Sequence, residues 1–268
     1  MNTSNDWDVI WKWQWFRRAQ WQPHYRDPNH AEGRPARATP IWSQALKQSG
    51  AERVLDCCCG LGLRAILLKE DGFDVTGVDG SDVAIRHAIE LAEARELFIP
   101  FERCSCEHLG ARFHNEFDAV IQDGLMWAGD PDQLRFLIHN CAAALKRGGS
   151  LIFTGPEQWA RAEDRQARLE HAWNSSPRFQ VRAECAHGGI HMTLVVARDR
   201  EEFAIVEHYL FVVHENGVTH LETASIRNSM QWTWQDLQEA CMEAGFHSVQ
   251  TVQIEIGGHE HHINVAQR

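Results

Sequence analysis

Val54-Leu55-Asp56-Cys57-Cys58-Cys59-Gly60-Leu61-Gly62, followed by Phe73-Asp74-Val75-Thr76-Gly77-Val78-Asp79, decides how this chain is read. The first stretch is a short apolar run that breaks on two glycines, the pattern of a buried strand turning into a helix. Glycine at such a turn lets backbone N–H groups approach a ligand closely. The second stretch is another apolar run, ending on an acid about 20 residues beyond the glycines, where ribose hydroxyls can donate to it. Together the two runs read as a nucleoside-binding site.

Outward from this point the apolar pattern alternates between strand and helix. Strands are expected at 53–57, 73–78, 98–103, 117–122 and 150–154, with helices at 62–70, 81–95 and about 130–145 between them. Regular alternation of this kind gives a parallel sheet covered by helices. After Pro156 a polar helix is expected to about Trp173, and then the periodicity drops to two. Phe179, Val181, Ala183 and Cys185, then Ile190, Met192, Leu194 and Val196, mark antiparallel strands. Further strands at 203–213 and 218–225 join through Asn216-Gly217, a hairpin dipeptide. Thr233 with Asp236 caps a helix that Gly245 stops, and the chain closes with a hairpin, 248–256 and 262–266, around Gly257-Gly258.

The segment before the first strand is different in kind. Six of the eleven tryptophans lie in the first 42 residues, and Trp7, Trp11 and Trp15 recur every fourth position, on one helical face. That face reads as an amphipathic helix packed on the body, or as a lid over a ligand. Pro23, Pro28, Pro35 and Pro40 predict a loop carrying Arg26, Arg34 and Arg37, before a short helix at 41–48. The chain thus divides into a tryptophan-rich segment (1–50), a ligand-binding core (51–155), a helix with an antiparallel insertion (156–230) and a return to the core sheet (231–268).

Composition narrows the function classes. Hydrophobic residues make up 44% of 268 and charged residues 24%, the balance of a globular domain. The formal charge of −11 repels phosphate backbones, which favours a small-molecule substrate over nucleic acid. No apolar run reaches the ~18 residues of a membrane span, and the first residues carry no secretion signal, so a cytoplasmic location is expected. The eight cysteines do not have the spacing of an extracellular disulfide framework and read as reduced thiols. A homo-oligomer is left open.

The loop lacks the third glycine of a dinucleotide fingerprint, since Leu63, Arg64 and Ala65 follow Gly62. Asp56, Gly60 and Gly62 instead resemble the D-x-x-x-G-x-G motif of class I S-adenosylmethionine-dependent methyltransferases. Other landmarks of that family fall in order: Asp79-Gly80-Ser81, Phe117-Asp118-Ala119-Val120-Ile121, and Leu145-Lys146-Arg147-Gly148-Gly149. The resemblance spans about residues 37–155. It implies an α/β fold with a Rossmann-like, seven-stranded, mostly parallel sheet and an antiparallel β insertion after strand 5. It also implies S-adenosyl-L-methionine as cofactor and methyl transfer as the activity. Cys59 before Gly60, and Gly72 to Asp79, are similar to glycine and sarcosine N-methyltransferases, whose antiparallel insertion corresponds to residues 179–225 here. The acceptor implied is therefore an amine or amino-acid-like compound. By this resemblance Asp79 holds the ribose, Ser105 and Cys106 flank adenine, and Arg37 or Arg34 meets the cofactor carboxylate. Asp56, Cys58, Gly60, Gly62, Gly80, Ser81 and Asp123 complete the expected cofactor set. Where the family has Asn after the fourth-strand glycine, this chain has Leu125 after Gly124, which sets glycine aside as the expected acceptor.

Methyl transfer from a sulfonium needs a nucleophile held in line in a water-poor cavity, so positioning dominates the chemistry. Where an amine must lose a proton, a nearby carboxylate or imidazole assists, and Asp123 and His191 are the candidate bases. Asp123 also reads as a turn cap. Trp127, Arg227 and His259 are the candidate substrate contacts. Alternatives are transfer to sulfur or to arsenite, with Cys104 and Cys106 as thiol ligands, and cofactor binding without chemistry. No metal is expected: His261 and His262 alternate faces of a strand, and so do consecutive cysteines from Cys57 to Cys59.

Overall fold

The computed structural model describes residues 4–19, 27–29, 34–154, 162–229 and 231–268. Two helices, α1 (Ser4–Ala19) and α2 (Arg34–Gln48), precede the alternating region. There the strands are β1 (Arg53–Cys57), β2 (Asp74–Asp79), β3 (Phe101–Arg103), β4 (Phe117–Gln122) and β5 (Leu145–Phe153). Helices α3 (Leu63–Glu70), α4 (Asp82–Glu93), α5 (Leu109–Arg112) and α6 (Pro131–Ala144) lie between them. β5 starts at Leu145 rather than Ser150 because Leu145 already pairs with Phe117.

Successive strand residues enter opposite cores. Leu55, Val120 and Leu151 pack with α6 residues such as Leu134 and Ile138, whereas Val54, Ala119, Ile121 and Ile152 pack with Trp42 and Leu46 of α2 and Leu68 of α3. Both faces being covered, the strands read as continuous apolar runs. Each such leucine or isoleucine contributes about 1.5–3 kcal/mol by leaving water.

After β5 come α7 (Ala162–Asn174), strands β6 (Phe179–His187), β7 (Ile190–Glu201), β8 (Ala204–Glu215) and β9 (Val218–Ser229), then α8 (Trp234–Glu243), β10 (Ser248–Ile256) and β11 (His259–Gln267). The main sheet has seven strands in the order β10-β11-β5-β4-β1-β2-β3, with β1 to β5 parallel, β11 antiparallel to β5, and β10 antiparallel to β11 and so aligned with the rest. The second sheet is an antiparallel meander, β6-β7-β8-β9. Asn216 and Gly217 both take positive φ, 50° and 76°, as the two-residue hairpin between β8 and β9 requires. Thr233 and Asp236 form the expected capping box at α8. No described helix is long and apolar enough to cross a membrane.

Two expectations about local structure are corrected. Residues 34–40, read as loop, are the first turns of α2. Pro35 sits where an N–H has no helical partner, and the exposed Pro40 is accommodated inside the helix, where the Thr39 hydroxyl donates to Pro35 O at 2.7 Å. Pro23 and Arg26 lie outside the described residues. In the final hairpin β11 begins at His259 rather than His262, because pairing with β10 runs to the Ile256–His259 pair.

α1 is held between the two sheets. Ile10 and Trp13 pack on Met192, Leu194, Val196 and Phe211 of the meander, and Trp13 Nε1 donates to Glu222 at 3.0 Å. On the other side Trp15 stacks on His87 of α4, with ring centroids 4.3 Å apart, and Trp7 lies 4.8 Å from Trp127. The tryptophan stripe thus packs on the body and also covers the glycine turn.

Gly62 separates the costs of backbone and packing. It has φ +73°, and a Cβ there would lie 2.8 Å from both Ala88 Cβ and Phe101 Cζ, whereas Gly148, at φ +78°, has open space around it. We expect Gly148→Ala to cost about 1–2 kcal/mol and Gly62→Ala roughly 2–4 kcal/mol in urea unfolding. Equal midpoints for the two variants would show that close approach at Gly62 is unimportant.

Candidate functional site

Beyond the end of β1 the chain coils through three left-handed residues, Cys58 (φ 59°), Gly60 (φ 54°) and Gly62 (φ 73°). Cys59 N stays on the sheet, donating to Val78 O at 3.0 Å, and Gly62 N turns back to Cys59 O. The coil thereby aims Gly60 N at the end of β2, where it donates to Asp79 Oδ2 at 2.9 Å. Ser81 N donates to the other oxygen, Oδ1, also at 2.9 Å. Ser81 is the N-cap of α4, and its hydroxyl both receives Ala84 N and donates to Asp8 of α1. Asp79 is 8% exposed, and burial pushes its carboxyl up to about 6, although the two backbone N–H groups favour the charged form.

A second charged group sits between β1 and β4. Asp56 is fully buried, and Arg64 from the first turn of α3 donates to its Oδ1 through Nε (2.9 Å) and Nη2 (2.5 Å). Nη1 of the same guanidinium reaches Asp123 Oδ2 at 3.3 Å, and the Trp42 ring covers it at 4.9 Å. Burial opposes the Arg64 charge, but the two carboxylates hold its pKa above the ordinary value. Burial raises the Asp56 carboxyl against the pull of Arg64. Asp56 Oδ2 is buried and has no hydrogen-bond partner among the described residues.

The third group is sulfur. Cys57 Sγ and Cys58 Sγ each lie 3.0 Å from Cys106 Sγ, and Gln122 Nε2 donates to Cys106 at 3.1 Å and to Cys57 at 3.5 Å. Two expectations fail here. Consecutive cysteines do not alternate faces, because Cys58 has left the strand with positive φ and its thiol swings to the same side as that of Cys57. Cys104 is not the thiol partner of Cys106 either; its Sγ faces Ser105 O at 3.5 Å.

The other expected residues are distributed unevenly. Ser105 follows β3 and shares a 2.7 Å hydrogen bond with His108, and Gly80 lies against it, in ordinary contact if it carried a Cβ. Asp123 has both oxygens engaged, Oδ1 by the Thr154 hydroxyl and Oδ2 by Arg64. Trp127 follows β4 in a single 3-10 turn, under Trp7. Arg227 of β9 donates to Glu201 at 2.8 Å, and its Nη1 lies 3.9 Å from where Gly129 would carry a Cβ, beside the loop that holds Trp127. His259 is exposed on β11, which begins beyond the carboxyl end of β5, with β5 between it and β4.

Two assignments are not supported by position. His191 is exposed on β7, and alternation turns it away from Met192, Leu194 and Val196, the residues that meet α1. Arg37 is exposed on α2 and donates to Pro28 O at 2.8 Å. The guanidinium beside Asp56 belongs to Arg64, which the sequence marks only as one of the residues following Gly62 in the expected helix 62–70; its signal is a charge at an otherwise apolar first turn. Trp11, on the tryptophan face read as packed on the body or as a lid over a ligand, stands at the glycine loop. A Cβ at Gly60 would lie 2.6 Å from Trp11 Cη2, so the indole lies directly on the turn.

Residues 54–149 match the family described as Methyltransferase domain. Over 122 residues the chain is 33% identical to glycine N-methyltransferase of Homo sapiens, a match covering 40% of this chain and 41% of that protein. Over 76 residues it is 40% identical to the glycine/sarcosine N-methyltransferase of Parasynechococcus marenigrum (strain WH8102), covering 28% of this chain and 27% of that one. The chain thus spans well under half the length of the curated relatives it matches. Among solved structures, the sugar N-methyltransferase KedS8 from Streptoalloteichus sp ATCC 53650 superposes with a TM-score of 0.66 at 17% identity, over 88% of this chain and 89% of that one. An S-adenosylmethionine-dependent methyltransferase from Clostridium acetobutylicum ATCC 824 does so with a TM-score of 0.63 at 12% identity, over 93% and 98%. The architecture is the class I methyltransferase fold, with the expected seven-stranded sheet and antiparallel insertion.

The carboxyl of Asp79 makes stability depend on pH. Its folded value of about 6 lies above the ordinary 3.8, so the folded state takes up a proton before the unfolded one. Stability at this site is therefore gained as pH falls through about 6, the reverse of a salt-bridged acid. Between pH 7 and 5 the wild type should gain about 1 kcal/mol relative to Asp79→Asn, measured by urea unfolding of both proteins. A constant difference across that interval would remove the buried, raised carboxyl.

Proposed function

We propose that this chain, whose residues 54–149 carry a methyltransferase domain, binds S-adenosylmethionine above the carboxyl ends of β1, β2 and β4 and transfers its methyl group to the nitrogen of a small-molecule amine. The observation that carries the reading is the Asp79 carboxylate, held between Gly60 N–H and Ser81 N–H at the end of β2. Such a carboxylate is already oriented, and its remaining lone pairs accept hydroxyl donors such as those of a ribose. The cofactor fits the residues present in two further respects. Gly60 and Gly62 put no side chain of their own on the loop, and the unpartnered Oδ2 of Asp56 suits the ammonium of a methionyl group.

When bound, the sulfonium supplies an electrophilic methyl group. The chain's own residues then have three tasks. Asp79 and the Cys58–Gly62 turn fix the nucleoside; Asp56, oriented by Arg64, holds the amino-acid end; and Asp123 braces Arg64 rather than acting as a base. Trp11 over Gly60 and the Trp7–Trp127 pair close the top of the cleft, which keeps water from the reacting atoms. The methyl group that the sulfonium would supply calls for an acceptor nitrogen with a free lone pair held in line, which is the task of the residues around the cleft. Positioning supplies most of the acceleration.

An amine is favoured because relatives in sequence are named for glycine and sarcosine N-methylation, and a structural neighbour is named for sugar N-methylation. Arg227, beside the Trp127 loop, is the group we assign to an acidic or hydroxylated part of the acceptor, with His259 at the outer rim.

Two measurements test this reading. Calorimetric titration with S-adenosylmethionine should show binding that weakens about 10- to 100-fold in Asp79→Ala, the loss of hydrogen bonds to a charged group. Incubation with methyl-labelled cofactor and a metabolite extract should give a labelled amine by mass spectrometry. A folded protein that binds no cofactor, or one in which Asp79→Ala binds equally well, would sink the proposal.

A further inference from the structure

The three sulfurs under the loop are not needed for the function proposed above. Cys57 closes β1, Cys58 follows it in the left-handed conformation, and Cys106 comes from the 3-10 turn Cys106–His108 after β3. Three separate backbone features converge on one point, and the three Sγ atoms all lie within 4.8 Å of one another. This is the one such convergence of Cys, His, Asp or Glu ligand atoms among the described residues. All three are free cysteines; Cys57 is fully buried, while Cys58 and Cys106 are half-buried.

We propose that Cys57, Cys58 and Cys106 form a three-thiolate site for a soft, thiophilic divalent cation of the Zn²⁺ and Cd²⁺ class, with the fourth coordination position open.

Softness follows from the donor set, since thiolates select this class of ion over oxygen-seeking ones such as Mg²⁺. Size agrees as well. A tetrahedral centre with Zn–S of ~2.3 Å separates its sulfurs by ~3.8 Å. Two pairs here stand at 3.0 Å, so small rotations of the side chains open the trio to that spacing. The sulfurs are also gathered by a shared donor, Gln122 Nε2–H, which reaches Cys106 at 3.1 Å and Cys57 at 3.5 Å. Each thiol gives up its proton to solvent as its S–H bond is replaced by a metal–sulfur bond. Gln122, whose Oε1 is anchored by Gly124 N at 2.6 Å, orients the set from outside, as partners of metal ligands do.

The segments that carry Cys58 and Cys106 both bond to Asp79, through Gly60 N–H at 2.9 Å and Cys104 N–H at 3.0 Å, so a cation here is coupled to the adenosyl cleft. That consequence rests on the function proposed above, whereas the site itself does not.

The test is an anaerobic titration of the reduced, cofactor-free full chain with Cd²⁺. One equivalent should bind with a thiolate-to-cadmium charge-transfer band, and cadmium NMR of the wild type should give the chemical shift of three-sulfur ligation. Cys58→Ser and Cys106→Ser should each weaken binding by more than the ~10–100-fold typical of lost outer-shell partners, while Cys104→Ser leaves it unchanged. No band at one equivalent, a shift indicating two or fewer sulfurs, or full binding in Cys106→Ser would overturn the site. The wild-type NMR reading holds whether or not a variant folds. Repeating the titration with S-adenosylhomocysteine should shift the Cd²⁺ affinity severalfold. An unchanged affinity, with calorimetry showing that the adenosyl compound binds, overturns the coupling alone.

Discussion

One carboxylate ties the site to the sheet. Asp79 ends β2, and its two oxygens take Gly60 N–H from the loop after β1 and Ser81 N–H from the cap of α4. Two neighbouring βα turns are thereby locked to a common point, and the acid's other lone pairs are left for a ligand. Burial makes this arrangement costly, which is why the carboxyl is pushed up toward neutrality and why two backbone donors are required to keep it oriented. The left-handed turn exists to deliver Gly60 N–H to it, and the close packing of Gly62 against Ala88 and Phe101 holds the turn in place.

A second charge cluster solves a different problem. Asp56 is fully buried, and an isolated charge there would lose several kcal/mol of hydration. Arg64 offsets this by donating twice to one oxygen while bridging to Asp123, just past the end of the neighbouring strand β4, and Trp42 covers its face. The second oxygen of Asp56 remains without a partner. Unpaired buried oxygens are uncommon in folded proteins, and this one sits at the carboxyl edge of the sheet, where ligands of open α/β folds collect.

Helix α1 joins the two sheets into one structure. One of its sides belongs to the meander through Ile10 and Trp13, and the other to the core through Trp11, Trp15 and Asp8. Because apolar residues occupy both sides, the helix shows no simple amphipathic pattern. Its position over the glycine turn makes the meander part of the same cleft: β9 reaches the Trp127 loop through the Ser229 hydroxyl, which donates to Gly129 O at 2.7 Å.

Local sequence alone determined the main sheet, its strand boundaries to within a few residues, the α8 capping box, the Asn216-Gly217 hairpin and the pairing of the glycine turn with Asp79. Each of these depends on near neighbours: buried strands read as apolar runs, caps and hairpins need particular side chains, and a glycine turn needs positive φ. Tertiary structure decided the rest. Arg64 reaches the buried acid because the first turn of α3 lies beside Asp56, while Arg37, expected at the cofactor carboxylate, is exposed on α2 and donates to Pro28 O. His191 alternates with Met192 and Leu194 along β7, and the packing of α1 on those residues decided which face of the strand is covered. The three thiols met because one positive φ at Cys58 reversed the alternation that a strand would impose, and because a residue 48 positions away in the chain came to lie beside it. Contacts between residues distant in sequence leave no periodic trace along the chain, and those are the contacts that make the site.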